Sequence, residues 1–223
     1  MQLRAFAPRR ALWVAAFVLA LPLAVRAETI LNFDDLDLAN GTPIPGDYMS
    51  RAAGTPNIVV GYRTFDPDDN STVADFLDFW NDDYGDLSKV AYPVGNGLAG
   101  EISFTPDAGV GVTLSSFDMA GWPNTDRVEQ FIRIVDAAGN LLLSLGSDVV
   151  IEGDAGHTTF TPNFSHEGAI RLQFGVDWNV GIDNIRFSQF TPSAVPEPGT
   201  LATAALGGIA LVGYQVRRRR RAS

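Results

Sequence analysis

Apolar and polar residues alternate in short runs along most of this chain, and a period of two predicts β-strands rather than helices. The cleanest run sets Ile170, Leu172, Phe174 and Val176 against Arg171, Gln173, Gly175 and Asp177. Ile102 and Phe104 alternate with Glu101, Ser103 and Thr105, and Val110, Val112 and Leu114 with Gly111 and Thr113. Ile132 and Ile134 share a face opposite Phe131, Arg133 and Val135. Further segments fall near 29–33, 58–64, 87–92, 141–145, 157–161 and 182–190, separated by Gly, Pro, Asn and Asp. Asp136-Ala137-Ala138-Gly139-Asn140 predicts a turn, most simply a hairpin. About ten strands between Glu28 and Ser193, with no sustained helical period, predict an all-β fold, a two-sheet sandwich of the jelly-roll type. No internal repeat is evident, which disfavours a solenoid or a propeller.

Both ends break the alternation. Arg4, Arg9 and Arg10 precede an apolar run from Ala11 to Val25, which closes on Val25-Arg26-Ala27. A basic start, an apolar middle and small residues before the cut predict a secretory signal peptide over 1–27, with a signal helix. At the other end Val195, Pro196, Glu197, Pro198 and Gly199 precede an apolar stretch, 200–216, and then Arg217, Arg218, Arg219, Arg220 and Arg221. At 1.5 Å per residue that stretch reaches roughly 26 Å as a transmembrane helix, enough for a thin hydrocarbon core. The five arginines act as a stop-transfer cluster that stays cytoplasmic, and Tyr214 sits where an interfacial aromatic belongs. The body, 28–193, is thereby placed outside the inner membrane.

Charge sharpens this division. The 223 residues carry 26 acids and 16 bases, a formal net charge of −10. The two ends hold nine of the arginines and no acid, so the seven bases and 26 acids of 28–216 leave a net of −19. Nucleic acid is excluded as a partner, because phosphate contacts need a basic face. The absence of cysteine excludes disulfides, thiolate zinc sites and a cysteine nucleophile.

The order of Pro-Glu-Pro motif, apolar helix and arginine cluster over 195–223 resembles the PEP-CTERM sorting signal of Gram-negative bacteria. The resemblance implies that an exosortase, a membrane-embedded cysteine transpeptidase, reads Pro196, Glu197 and Pro198 and processes the chain nearby. It also implies delivery to a cell surface or a matrix rich in exopolysaccharide. Two prolines around one residue hold an extended segment that a peptidase groove can read. The body resembles galactose-binding-like, carbohydrate-module jelly rolls in its opening Ile30-Leu31-Asn32-Phe33-Asp34-Asp35-Leu36 and its closing Gly181-Ile182-Asp183-Asn184-Ile185-Arg186-Phe187. Tyr84-Gly85-Asp86-Leu87 and Ser116-Phe117-Asp118-Met119-Ala120-Gly121-Trp122 lie between. That resemblance implies a structural calcium held by first-strand and last-strand carboxylates, here Asp183 with Asp34 or Asp35.

Asp183 shares strand parity with Ile185 and Phe187, so it is expected on the core side, where a carboxylate needs a partner. Eight aspartates crowd 66–86, and Asp66, Asp68 and Asn70 imitate the first half of a calcium loop. Ser71 and Leu77 stand where such a loop needs glycine and a bidentate acid, so this is no EF-hand. Phe76, Phe79, Trp80 and Tyr84 interleave with those acids. Two readings stay open for them: Trp80 and Tyr84 as stacking surfaces of a sugar site, or all four as packing that staples a long loop. Trp122 and Trp178 carry the same pair of readings.

His157 and His166, nine apart, lack zinc-motif spacing, and no nucleophile elbow, P-loop or dinucleotide fingerprint occurs. The leading expectation is an exported, non-enzymatic surface or matrix protein, glycan-binding or adhesive. A secreted carbohydrate-active enzyme with a carboxylate pair drawn from Glu101, Glu129, Glu152 and Glu167 is the alternative. Ice binding, suggested by another name for such tails, lacks a Thr-x-Thr ladder.

Overall fold

The computed structural model describes residues 27–192. The signal segment up to residue 26, the motif at 195–198, the apolar stretch 200–216 and the arginines 217–221 lie outside the described residues. Among the described residues there are strands, turns and bends and no helix.

The strands run in chain order as β1 (Glu28–Leu31), β2 (Thr42–Pro43), β3 (Ile58–Phe65) and β4 (Thr72–Ala74). Next come β5 (Asp78–Tyr84), β6 (Leu87–Tyr92), β7 (Ala99–Pro106) and β8 (Gly111–Gly121). The third group is β9 (Arg127–Glu129), β10 (Phe131–Asp136), β11 (Leu141–Gly146) and β12 (Val149–Ile151). The last is β13 (Thr158–Phe160), β14 (Phe164–His166), β15 (Ile170–Gly175) and β16 (Val180–Phe190). They form an eight-stranded sheet, β13-β8-β16-β6-β5-β2 with β14 on β8 and β1 on β16, and a six-stranded sheet, β11-β10-β15-β7-β3-β4. A small ribbon, β9 with β12, stands apart. The strand pairs are antiparallel, and neighbours in both sheets come from distant parts of the chain, as a jelly-roll sandwich requires.

The alternation read from sequence is what builds the core. Ile58, Val60 and Tyr62 of β3, Ile102 and Phe104 of β7, and Ile170, Leu172 and Phe174 of β15 point inward from the six-stranded sheet. They meet Val112, Leu114, Phe117, Met119, Ile182, Ile185 and Phe187 from the other sheet. Phe104 and Phe187 touch across the layer, ring centres 4.8 Å apart. At about 1.5–3 kcal/mol for each fully buried apolar side chain, this layer is the main favourable term.

Three features depart from the sequence pattern, and each has a local cause. The stretch 66–86 is not one acidic loop, for β5 crosses it as an inner strand between β2 and β6. Its alternation is hidden by a bulge after Asn81, where Asp82 (φ 75°) and Asp83 (φ 65°) take left-handed backbone. β8 continues to Gly121 instead of ending near Leu114, because Ser115 is an extra residue that shifts the inward set from 112 and 114 to 117 and 119. Opposite it, Asn184 (φ 52°) is the extra residue in β16. Ile182, not Asp183, is therefore the core residue before that bulge, and the parity shared with Ile185 and Phe187 does not carry through it.

Candidate functional site

The outer face of the six-stranded sheet carries a groove of about 370 Å³. Its floor follows from register. Gly61, Ser103 and Arg171 lie directly opposite one another on β3, β7 and β15. One row along, Arg63, Glu101, Gln173 and Arg133 stand in line across β3, β7, β15 and β10. That second row is closed upon itself. The Arg63 guanidinium reaches Glu101 Oε2 at 2.6 Å, the Gln173 amide donates to the same oxygen at 2.7 Å, and Arg133 Nε donates to Gln173 Oε1 at 2.8 Å. Arg63 also lies over the Phe65 ring and Arg133 over the Phe131 ring, at 4.8 and 4.4 Å.

The first row is open. Gly61 has no side chain, and a Cβ built there would come within 2.8 Å of Ser103 Oγ, so the trough exists because residue 61 is glycine. Among the described residues, the hydroxyls of Ser103 and Thr105 and the carboxylate of Asp75 make no side-chain hydrogen bond. Arg171 touches Glu101 only through Nε at 3.9 Å, with its side chain 29% exposed. Arg63 Nε is buried at the same place without a partner. Two hydroxyls, the Asp75 carboxylate and the Arg171 guanidinium fork line the cleft beside the Arg63–Glu101 pair, a donor and acceptor set suited to a polyhydroxylated ligand. Sequence pattern placed Ser103, Thr105 and Arg171 on outward positions; only the register of three distant strands brought them together.

The outer face of the eight-stranded sheet is built in the opposite way. Tyr84, 2% exposed, packs with Leu87, Val90, Ala120, Trp80 and Trp122 into a second apolar cluster. Trp80 meets Tyr92 and Trp122 edge-on at 6.1 and 5.9 Å, and Trp178 tilts against both Tyr92 and Trp122. The Tyr84 hydroxyl donates to Trp178 O at 3.1 Å, and burial raises its pKa. Trp80 remains half-buried among these rings, so the packing reading of Trp80 and Tyr84 describes where they sit. Beside the aromatics, His157 Nδ1 lies 2.7 Å from Asp86 and its Nε2 3.6 Å from Asp118. Burial lowers the His157 pKa, but the Asp86 hydrogen bond and the charges of Asp118, Asp86 and Glu152 carry it upward on balance. Asp118 in turn accepts from Thr159 at 2.7 Å and from the Asn184 amide at 3.0 Å.

Asp34, Asp35 and Asp183 gather at the notch where β16 exchanges β1 for β6 as its neighbour. Asp183, 3% exposed, accepts the Phe33 N–H at 3.3 Å. Burial, with Asp34 and Asp118 adding their charge, pushes its pKa up to about 7 against the opposing bonds from Asn184 and Phe33. Asp34 accepts from Ser88 at 3.0 Å and from Asn32 at 3.3 Å. The Tyr48 hydroxyl lies against both the Asp35 carboxylate and the Asn32 carbonyl. The Lys89 ammonium donates to Asp34 O and Leu36 O at 2.6 and 2.7 Å. Each carboxylate faces a different partner here, and an ammonium holds the nearby carbonyls. Among the described residues no group of three or more acids or histidines is placed to share one ion.

The four glutamates considered for a carboxylate pair are scattered. Glu101 is held by Arg63 and Gln173. Glu129, 0% exposed on β9, has neither oxygen hydrogen-bonded, and burial first, then the charge of Asp177, pushes its pKa up to about 9. Glu152 follows β12 and Glu167 follows β14.

The family model described as PEP-CTERM protein-sorting motif matches residues 194–221. That motif is the recognition signal for exosortase processing and marks an exported, membrane-anchored precursor processed at the envelope. No curated protein matches the chain. Among solved structures, it is similar to the enzymatically active domain of tailspike protein 4 of bacteriophage CBA120, at 18% identity and a TM-score of 0.31 over 69% of this chain and 21% of that one. The chain thus spans about a fifth of that tailspike's length. It is also similar to a module described as "CBM4 structure and function", at 13% identity and a TM-score of 0.29 over 71% of this chain and 94% of that one. A third likeness is to TmCBM61 in complex with beta-1,4-galactotriose, at 18% identity and a TM-score of 0.26 over 69% and 99%. At these TM-scores the likenesses carry neither a ligand nor an activity to this chain.

Proposed function

We propose that the chain is an exported, non-enzymatic surface or matrix protein whose β-sandwich binds glycan in the groove of the six-stranded sheet. The observation that carries this reading is the open row of Gly61, Ser103 and Arg171, with Thr105 and Asp75 beside it. A sugar presents many hydroxyls in one plane and needs convergent donors and acceptors on a rigid floor. Strands supply that rigidity better than loops do, and the groove is floored by three of them. Among the described residues neither groove hydroxyl is hydrogen-bonded to a base, and Glu101 is held by Arg63 and Gln173, so binding without turnover is the chemistry these groups favour.

The sorting motif complements this reading. A precursor held at the envelope and then processed would present the sandwich to extracellular polysaccharide, the exopolysaccharide of the cell's own surface being the nearest. The strongly acidic body keeps such a domain soluble.

Filling the groove tests the proposal. Gly61→Val, in the full chain solubilised in detergent, places branched carbon where even a single Cβ would lie 2.8 Å from Ser103 Oγ. The expected outcome on a glycan array is loss of every polysaccharide signal the unmodified protein gives, with the melting temperature little changed. Retained glycan binding in Gly61→Val removes the groove from the proposal.

A further inference from the structure

The groove holds a guanidinium whose two terminal nitrogens have no partner in the fold, and this narrows the ligand. Among the described residues the other arginines, Arg186 apart, each hold a partner within hydrogen-bond distance. Arg51 pairs with Asp107 at 2.8 Å and Arg63 with Glu101 at 2.6 Å. Arg127 donates to Trp122 O at 2.7 Å and Arg133 to Gln173 at 2.8 Å. Arg186 lies 3.6 Å from Glu28. Arg171 has only the 3.9 Å approach of Nε to Glu101, so both terminal nitrogens of its fork are unspent.

Its surroundings explain why. Glu101, the one carboxylate on the floor, is already satisfied by Arg63 and Gln173. Directly across from Arg171 stand Ser103 and Gly61, too small to cap it. Three of the seven bases in the body, Arg63, Arg133 and Arg171, project from this one face of a strongly acidic domain. The groove's own lining balances Arg63 and Arg171 against Glu101 and Asp75, whereas the body as a whole is strongly acidic.

We infer that the groove reads a carboxylate-bearing saccharide, a uronic-acid residue of an acidic polysaccharide, with Arg171 as the group that selects it. The inference rests on the glycan reading above and adds the substrate class. A guanidinium fork matches a planar carboxylate through two parallel hydrogen bonds, which an ammonium or an amide cannot reproduce. Ser103, Thr105 and Asp75 then meet ring hydroxyls, which a simple carboxylate would leave unused. A neutral sugar would use the hydroxyl groups but offer Arg171 only uncharged acceptors in place of the bidentate carboxylate.

The experiment compares one polymer in two charge states. Polygalacturonate, its fully methyl-esterified form, alginate and neutral galactan are titrated against the detergent-solubilised full chain, against Arg171→Gln and against Gly61→Val. The expected result is binding of the polyuronates that weakens with added salt, drops at least about tenfold in Arg171→Gln, and is absent in Gly61→Val. The methyl ester is expected to bind weakly and equally to the unmodified protein and to Arg171→Gln. Binding of galactan or the ester as tight as that of polygalacturonate, indifferent to Arg171→Gln but lost in Gly61→Val, overturns the carboxylate inference and leaves the groove standing. Absence of binding to all four polymers, or binding indifferent to Gly61→Val, overturns both. Arg171 is partly exposed and its approach to Glu101 is long, at 3.9 Å, so loss of binding in its variant is checked against an unchanged melting temperature.

Discussion

The two sheets of this sandwich each present an outer face, yet one is closed and the other open. A glycine on each shows how. Gly181 of β16 lies under Val90 and Tyr84, and a Cβ there would meet Val90 Cγ2 at 2.4 Å and Tyr84 Cδ1 at 3.0 Å. The space freed by that glycine is filled by its neighbours. Gly61 of β3 would meet only Ser103 Oγ, at 2.8 Å, and the space it frees stays empty. A missing side chain makes a packed face where bulky aromatics surround it, and a groove where small hydroxyl residues do.

The largest expected effect lies on the closed face. Tyr84→Ala removes a fully buried ring and the bond its hydroxyl gives to Trp178 O, and the expected cost is about 3–5 kcal/mol by chemical denaturation. A cost under about 1 kcal/mol would mean that the aromatic cluster is a loose surface feature and that the two faces do not differ. Smaller is the glycine exchange. Gly181→Ala overpacks Val90 and Tyr84 and should cost about 1–3 kcal/mol, whereas Gly61→Ala should stay within about 0.5 kcal/mol of the unmodified protein. Equal losses at both sites would erase the contrast.

The last effect is a dependence on pH, and it follows from the notch of the eight-stranded sheet. The buried Asp183 has a folded-state pKa pushed up to about 7, above the ordinary carboxylate value of about 3.9 in an unfolded chain. The protonated acid therefore favours the fold. Its contribution is full below the unfolded value and is lost as pH rises from about 4 through 7, at no more than about 1.4 kcal/mol per pH unit. Asp183→Asn keeps an acceptor for the Phe33 N–H while removing the charge, and its melting temperature should fall less between pH 4 and pH 7.5. Parallel pH profiles for the two proteins would sink the assignment.

Much of the scaffold is legible in the chain. The alternation in β7, β10 and β15 reads directly, because unbroken strands with one buried face keep a strict period of two. The strand β5 does not, since Asp82 and Asp83 form a bulge and the acids around them read as a loop. Asp183 is expected from the sequence to be buried and in need of partners, and it is; parity, the reason for that expectation, fails at Asn184. The groove leaves no mark in any one segment. Ser103 and Thr105 look like ordinary outward residues of a strand, and Arg171 like an ordinary surface charge.

Sequence by itself determined the address and the material: a sorting motif at the C-terminal end, read from contiguous residues, and an acidic body patterned for strands. Both are local properties, carried by composition, period and short motifs. Tertiary structure alone decided which outer face closed and which stayed open. That depends on the register among β3, β7 and β15 in one sheet and β5, β6, β8 and β16 in the other, and register is fixed only when strands far apart in sequence bury their apolar faces together. Gly61, Ser103 and Arg171 form a row for that reason, across 110 positions of chain that hold no hint of it.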